Sequence, residues 1–357
     1  MIVKNEAHVI RRVLTSVKPF MTDWLIVDTG STDGTQDIIR EVMAGLPGQV
    51  IERPWQDFAH NRTEAMTLAP QGVDYLFFID ADEEFVTRPG FRWPRLTKDA
   101  YDLDIHYGGT QFLRRTLVRR DQPWRWEGVL HEYLTGPENP DIGHIAGAYT
   151  QMYHEGARSL DPETYRKDAV ILERAVKQEP QNSRYVFYLA QTYRDLGEPE
   201  KSIDWYARRA RMGGWIEEVW VSLYHVALQK EGLGLPWPEV MQDYLTAHNT
   251  HPQRAEALYR VGMHYQGQQQ YALAHLFLEK AAGISHPPDA LFVEQSIYAY
   301  HAALETAVAE YYLGLHREAL NRYKALLLKP GLPQDIRELI RRNQDFSLTA
   351  LGQGKRK

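Results

Sequence analysis

The chain has 357 residues, 43% hydrophobic and 25% charged, the make-up of an ordinary globular protein with room for more than one domain. A formal net charge of -6 leaves no surplus of Lys and Arg to neutralise phosphates, which argues against a nucleic-acid partner. With no cysteine in the chain, disulfides, thiolate nucleophiles and cysteine-ligated zinc are excluded.

The opening Met1-Ile2-Val3-Lys4-Asn5-Glu6 lacks the charged-then-apolar layout of a signal peptide. No stretch approaches the roughly 18 apolar residues that span a bilayer. The expected compartment is therefore a cytoplasm, with peripheral attachment at the inner face of the membrane left open. Two basic clusters, Arg114, Arg115, Arg119 and Arg120, and Arg337, Arg341 and Arg342, read as solvated faces.

In chain order, Met1 to about Lys4 is a short first strand. Trp24-Leu25-Ile26-Val27 is a buried strand, ended by the acidic, glycine-rich turn Asp28-Thr29-Gly30-Ser31-Thr32-Asp33-Gly34. Thr35 to Met43 has Ile38, Ile39 and Val42 at helical spacing. Gln49 to Glu52 predicts a strand and Asp57 to Leu68 a helix, and Tyr75-Leu76-Phe77-Phe78-Ile79 is the most apolar strand of the chain. Apolar runs alternating with helices predict a parallel sheet covered on both faces. Beyond Asp82, alternating segments such as Tyr101 to Tyr107 and Gln111 to Val118 predict antiparallel additions.

From about Leu160 the chain reads as helical, and it repeats. Leu189-Ala190, Tyr193, Gly197, Ser202 and Tyr206 set a pattern of small and aromatic residues. Val261-Gly262, Tyr265, Ala274, Leu278 and Ala281 follow it again, and Tyr311, Tyr312, Ala319 and Tyr323 echo it. This pattern resembles the tetratricopeptide repeat, a unit of about 34 residues built as two packed helices. The insert Gly232-Leu233-Gly234-Leu235-Pro236-Trp237-Pro238 is expected to break the stack. Trp215 and Trp220 fall outside the repeat positions, so each is either core or groove.

Three segments carry candidate chemistry. Asp28 ends a strand where open α/β sheets bind nucleotides. Asp80-Ala81-Asp82-Glu83-Glu84 follows the most apolar strand, and its carboxylates suit a hard divalent cation that bridges to phosphates. The third is Trp124-Arg125-Trp126-Glu127-Gly128-Val129-Leu130-His131-Glu132. The first two, in this order and with the opening Met1-Ile2-Val3-Lys4-Asn5-Glu6, resemble the family 2 glycosyltransferases of GT-A fold, a branch of which carries a Gly-x-x-His-Glu similar to that of the third segment. The likeness is closest to a branch that includes lipopolysaccharide-core transferases and bacterial peptide glycosyltransferases with tetratricopeptide tails. It covers roughly residues 1–156, and it implies an α/β GT-A domain at 1–156, an all-α tetratricopeptide-like domain at 157–350 and a disordered basic tail at 351–357. Relatives of this kind carry several more residues of first strand than the stretch ending at Lys4.

The resemblance implies roles residue by residue. Asp28 would bind the uracil or ribose of a UDP-sugar, with Asn5 and Glu6 lining the same pocket. Asn61 and Arg62 would lie near the nucleotide and its phosphates, where an arginine fork donates in pairs. Asp80 would touch the ribose or a metal-bound water. Asp82 would ligate Mn²⁺ or Mg²⁺, with His154 a candidate second ligand, and the metal would neutralise the departing diphosphate. Glu132 would be the base that takes the acceptor's proton, with Glu127 second to it. His131 would contact metal or phosphate, or merely pack. The implied reaction is inverting transfer of a hexosyl-type sugar to a saccharide or peptide, with the repeats holding the acceptor or pairing two copies of the chain. The non-enzymatic alternative is a degenerate transferase domain serving as a repeat-based scaffold. A nucleotidyltransferase lacks its glycine-rich, arginine-containing loop here. A phosphatase would not place Glu83 and Glu84 after Asp82.

Overall fold

The computed structural model describes residues 1–107 and 110–352, so the basic tail expected at 351–357 lies outside the described residues from 353 onward. The chain divides into two compact units, Met1–Gln178 and Glu179–Lys357.

The N-terminal unit opens with β1 (Ile2–Val3), α1 (Ile10–Val17), β2 (Trp24–Asp28), α2 (Thr35–Met43), β3 (Gly48–Glu52) and α3 (Phe58–Leu68). Helix α1 buries Ile10, Val13, Leu14 and Val17, the i, i+3, i+4, i+7 stripe that faces a core. Helix α2 follows Gly34, whose φ of 88° suits glycine, and Asp33 accepts from the Thr35 N–H and hydroxyl at its start. Helix α3 is capped by Asp57, which accepts from the His60 N–H at 2.8 Å. β1, β2 and β3 pair in parallel, with Ile2 opposite Val27 and Asp28 opposite Glu52.

β4 (Tyr75–Phe77), β5 (Glu83–Thr87), β6 (Ala100–Tyr107) and β7 (Thr110–Arg119) come next. After them come the hairpin strands β8 (Arg125–Glu127) and β9 (Tyr133–Thr135), then β10 (Ile142–Met152). These form a mixed sheet of order β4-β7-β6-β10-β5, with β6 and β10 parallel and the other pairs antiparallel. The sheet is mixed, with the expected antiparallel additions; the reading of Tyr75–Ile79 as one of the parallel strands is corrected, because β4 pairs antiparallel with β7 (Phe77 opposite Leu117) and has no ladder to β1. An apolar cavity of about 320 Å³ lies between the two sheets, lined by Ile2, Leu25, Met66, Leu76 and Leu117 among others. The short helix α4 (Ala157–Leu160) and α5 (Thr164–Gln178) complete the unit.

The helical unit runs α6 (Ser183–Asp195), α7 (Pro199–Arg211), α8 (Ile216–Gly232), α9 (Trp237–Thr250), α10 (Glu256–Gly267), α11 (Tyr271–Ala282), α12 (Ala302–Tyr312), α13 (His316–Leu327) and α14 (Gln334–Ala350). Each helix packs on the next in sequence. The repeat positions are its core: Leu189, Ala190, Tyr206, Val261, Ala274, Leu278 and Ala319 are fully buried. A Cβ on Gly262 would sit 2.6 Å from Leu278 Cγ, so the small residue lets α10 and α11 touch. Gly232–Pro238 does not break the stack; it ends α8, turns through residues 233–236 and opens α9, and the two helices pack together. Trp220 is core, stacked on Tyr224 at 4.9 Å, whereas Trp215 is 48% exposed.

Candidate active site

The carboxyl ends of β1, β2 and β4 carry Asn5, Glu6, Asp28, Asp80 and Asp82. Asp28 is fully buried, and one oxygen, Oδ1, accepts from the N–H groups of Gly30 and Ser31, both at 2.8 Å. Burial opposes its charge, but the Ser31 side chain together with these N–H groups outweighs burial and holds the carboxyl below its ordinary range. Its other oxygen, Oδ2, is buried without a hydrogen-bond partner. A bare carboxylate oxygen at a strand end is a ready acceptor for a ligand N–H or O–H. Asn5 adopts φ 58° and braces the same turn, its Oδ1 accepting from the Thr32 N–H. The Glu6 carboxylate accepts from the Ala157 N–H. Burial pushes this carboxyl up to about 7, with Asp82 and Asp33 adding negative charge nearby.

The first turns of α3 present Asn61 and Arg62 differently. Asn61 is fully buried, and its amide is engaged by the preceding loop, accepting from the Gln56 N–H and donating to the Pro54 carbonyl. Arg62 points into the site. Its Nη2 donates to Asp80 Oδ1 at 2.6 Å and its Nε to Glu132 Oε1 at 2.7 Å, while the guanidinium lies 5.1 Å over the Trp126 ring. Arg62 thus joins β4 to the β8–β9 hairpin, 70 residues away in sequence. The hairpin loop turns sharply, with Gly128 at φ 104° and His131 at φ 51°, and Leu130 is buried beneath it. That anchor aims Glu132 at Arg62 and leaves His131 exposed. Glu127 lies at the hairpin's edge, paired with Arg125 and accepting from the Tyr133 hydroxyl.

Burial alone would raise Asp80, but Arg62 and Arg114 hold its carboxyl below the ordinary range. Asp82 goes the other way: burial and the charge of Asp80 raise it, against the Gly156 N–H and His154. No Lys or Arg side chain among the described residues forms an ion pair with Asp82. A half-buried carboxylate with no counter-cation, beside a second carboxylate and within electrostatic reach of an imidazole, fits a hard divalent ion that keeps open positions for phosphate oxygens. The fit is not a closed cage. Among the described residues, a group of His, Asp and Glu tight enough to enclose an ion by itself occurs only at His275, Glu279 and Glu310 of the helical unit, where Arg322 pairs with both glutamates.

Two side chains that shape the site were not singled out in the sequence for this role. Glu83 is fully buried, accepts from the Asp80 N–H at 3.0 Å, and pairs with Arg114 at 2.7 Å. Burial and Asp80 push its carboxyl up to about 7, against Arg114. Arg114 also lies 3.9 Å from Asp80. The arginine cluster is therefore not one free solvated face: Arg115 pairs with Asp102 and Arg120, just past β7, donates to the carbonyls of Ala69 and Pro70, while Arg119 pairs with Asp121 at the exposed surface. Arg12 is the other omission. It stacks 4.0 Å over Tyr153, pairs with Glu155, and reaches the Asp82 carbonyl, so it ties the segment around His154 to the Asp82 turn.

A strand-end carboxylate with a bare oxygen, an Asp-x-Asp turn and an arginine-held glutamate are set out along the chain in the order of one known family, and the profile of glycosyl transferase family 2 matches residues 1–154. Residues 1–154 are a family 2 glycosyltransferase domain. The SPbeta prophage-derived glycosyltransferase SunS of Bacillus subtilis is 24% identical over 220 residues, covering 57% of this chain and 50% of its own length. An uncharacterised glycosyltransferase of Rickettsia felis is 37% identical over 83 residues, 23% of this chain and 27% of its own. The chain thus spans about half the length of SunS and less of the Rickettsia protein. Among solved structures, YrrB, a TPR protein with an unusual peptide-binding site, is similar at a TM-score of 0.39 and 13% identity, over 52% of this chain and 85% of that one. The glycosyltransferase domain is thus an α/β unit with a mixed sheet, followed by an all-α unit of packed helices. No helix among the described residues is long and apolar enough to cross a membrane.

Proposed function

We infer that the protein is an inverting glycosyltransferase that moves a sugar from a nucleotide-sugar, a UDP-sugar by preference, to a saccharide or peptide acceptor. The observation that carries this reading is the Arg62 bridge, which sets Glu132 one side chain away from the Asp80–Asp82 turn. In this reading Asp28, with its bare Oδ2, takes the uracil or ribose, and Asn5 and Glu6 shape the same pocket. Arg62 takes the diphosphate and Asp80 the ribose side of the donor, while buried Asn61 shapes the loop before α3. Asp82 and His154 would hold Mn²⁺ or Mg²⁺, with His131 at the exposed rim. When bound, that cation supplies charge neutralisation for the departing diphosphate. Glu132 accepts the proton of the acceptor nucleophile as it attacks the anomeric carbon from the face opposite the leaving group. Direct displacement inverts the anomeric centre and needs no covalent enzyme intermediate. The helical unit is assigned the acceptor.

The test needs no acceptor. UDP with Mn²⁺ is expected to raise the melting temperature, by about 2.7 kcal/mol of stabilisation at a hundredfold excess over the dissociation constant. UDP with a chelator should do so far less, and a panel of nucleotide-sugars should include one that the protein hydrolyses slowly with Mn²⁺. Equal shifts with metal and with chelator remove the metal from this reading; no shift and no hydrolysis remove the donor.

A further inference from the structure

The Arg62 bridge has a consequence for the order of events at the site. One guanidinium serves two carboxylates, with Nη2 on Asp80 and Nε on Glu132. Arg62 and Glu132 are largely shielded, at 14% and 13% exposure, while Asp80 is 35% exposed on the side where the donor is assigned. Glu132 Oε1, an oxygen that would take the acceptor's proton, is therefore already receiving a hydrogen bond from a permanent cation. A diphosphate offers that guanidinium the same paired-oxygen geometry with more charge, at the Asp80 side where the donor is assigned. The two carboxylates do not depend on Arg62 equally. Asp80 keeps a second arginine, Arg114, at 3.9 Å. The Glu132 loop is held by buried Leu130 and by the β8–β9 ladder, so Glu132 stays in place when Arg62 turns away.

We propose that Arg62 is a donor-operated latch on Glu132: in the empty site it occupies the base, and an arriving nucleotide diphosphate draws it off and frees Oε1 for the acceptor. This rests on the donor and base assignments above and deepens them. Arg62 then links two binding events. With no donor bound, Oε1 is engaged by Arg62, and the link is reciprocal, because loss of the Glu132 contact must favour the diphosphate by the same factor that the diphosphate disfavours the contact. The Trp126 ring, 5.1 Å from the guanidinium, offers it an aromatic face to stay against during the exchange.

The test measures binding, not turnover. With Mn²⁺ present, Glu132→Gln should bind UDP about fivefold or more tightly than the unaltered protein, a coupling at the low end for linked sites. Uridine, which has no phosphate to draw Arg62, should bind both proteins equally. In an Arg62→Met background the tightening by Glu132→Gln should vanish, since a double-mutant cycle isolates the pair. Unchanged UDP affinity in Glu132→Gln, equal tightening of uridine, or tightening that persists with Arg62→Met overturns the latch and leaves the transferase reading standing. If Arg62→Met gives no cooperative melt, the UDP and uridine comparison in Glu132→Gln decides alone. Failure of every nucleotide to bind, with or without metal, overturns the transferase reading itself.

Discussion

In the helical unit, Arg254 and Arg209 are each 1% exposed, and their donors are taken up around them. Arg254 donates to Glu256, Asp289 and the carbonyls of Leu291 and Phe292, and stacks 3.9 Å over Trp220. Arg209 donates to Glu218 and to the Gly213 carbonyl. In the N-terminal unit, Asp28 keeps a bare oxygen, Asp82 has no cationic side-chain partner among the described residues, and Arg62 divides itself between two acids. Asp28 is as deeply buried as these arginines, while Arg62, Asp80 and Asp82 are more open. The difference is whether the charges are closed among themselves or left short of a partner. A closed network contributes to shape, whereas the incomplete one is where we propose that a ligand supplies the missing charge.

That contrast breaks most sharply at Asp82. Asp82→Ala is expected to lower turnover about 10³-fold or more, equivalent to about 4 kcal/mol of lost transition-state stabilisation, and to weaken UDP binding with Mn²⁺. The melting temperature without ligand should hardly move, because no cation loses its partner. A fall in stability matching the fall in turnover would place Asp82 with the structural charges.

Arg254→Ala should do the reverse. It leaves Glu256 buried without its arginine, which costs about 3–5 kcal/mol, read by denaturant unfolding. UDP binding per folded molecule should be unchanged. Loss of UDP affinity in the folded fraction would argue that the two kinds of charge are not independent.

Two tryptophans five residues apart sharpen the comparison within the helical unit. Trp220→Ala removes a side chain that is 1% exposed and stacked on both Tyr224 and Arg254, and should cost about 3–5 kcal/mol. Trp215→Ala, at 48% exposure, should stay within about 0.5 kcal/mol of the parent. Similar losses from both would mean that Trp215 has a packing partner of comparable weight.

A smaller effect than at Trp220 is expected at Gly262. A methyl there meets Leu278 Cγ at 2.6 Å, an overpacking of about 1–3 kcal/mol. Alanine's helix propensity offsets that by roughly 1 kcal/mol. A Gly262→Ala protein more stable than its parent would show that α11 can retreat without loss.

Much of this molecule is local, and the local part was readable from residues alone. Thr35 to Met43 is a helix as its spacing predicts, and the repeat positions Leu189, Ala190, Tyr206, Val261 and Leu278 are buried because the period that marks them is the period that packs helices. The opening Met1-Ile2-Val3-Lys4-Asn5-Glu6, the turn after Val27 and the Asp80-Ala81-Asp82-Glu83 run, in that order, were enough to find the family. What the sequence left open involves partners far apart in the chain. Tyr75–Phe77 pairs antiparallel with β7 and not with the parallel strands before it, because a strand's neighbour is chosen by long-range hydrogen bonding that its own apolarity does not encode. Arg114 looks like one of four surface arginines until β7 lies against the Asp80 turn and closes on Glu83. Trp215 and Trp220 have the same chemistry and nearby positions, and only the packing of α8 against its neighbours separates exposed from core. Arg62 and Glu132 stand 70 residues apart, and no pattern in either segment says that one guanidinium will hold both acids. Residue types and spacings determine which chemical groups the chain carries and which faces it buries. Which groups meet, and which are left one partner short, follows from tertiary contacts, because ion pairs and hydrogen bonds act over a few ångströms of space irrespective of separation in sequence.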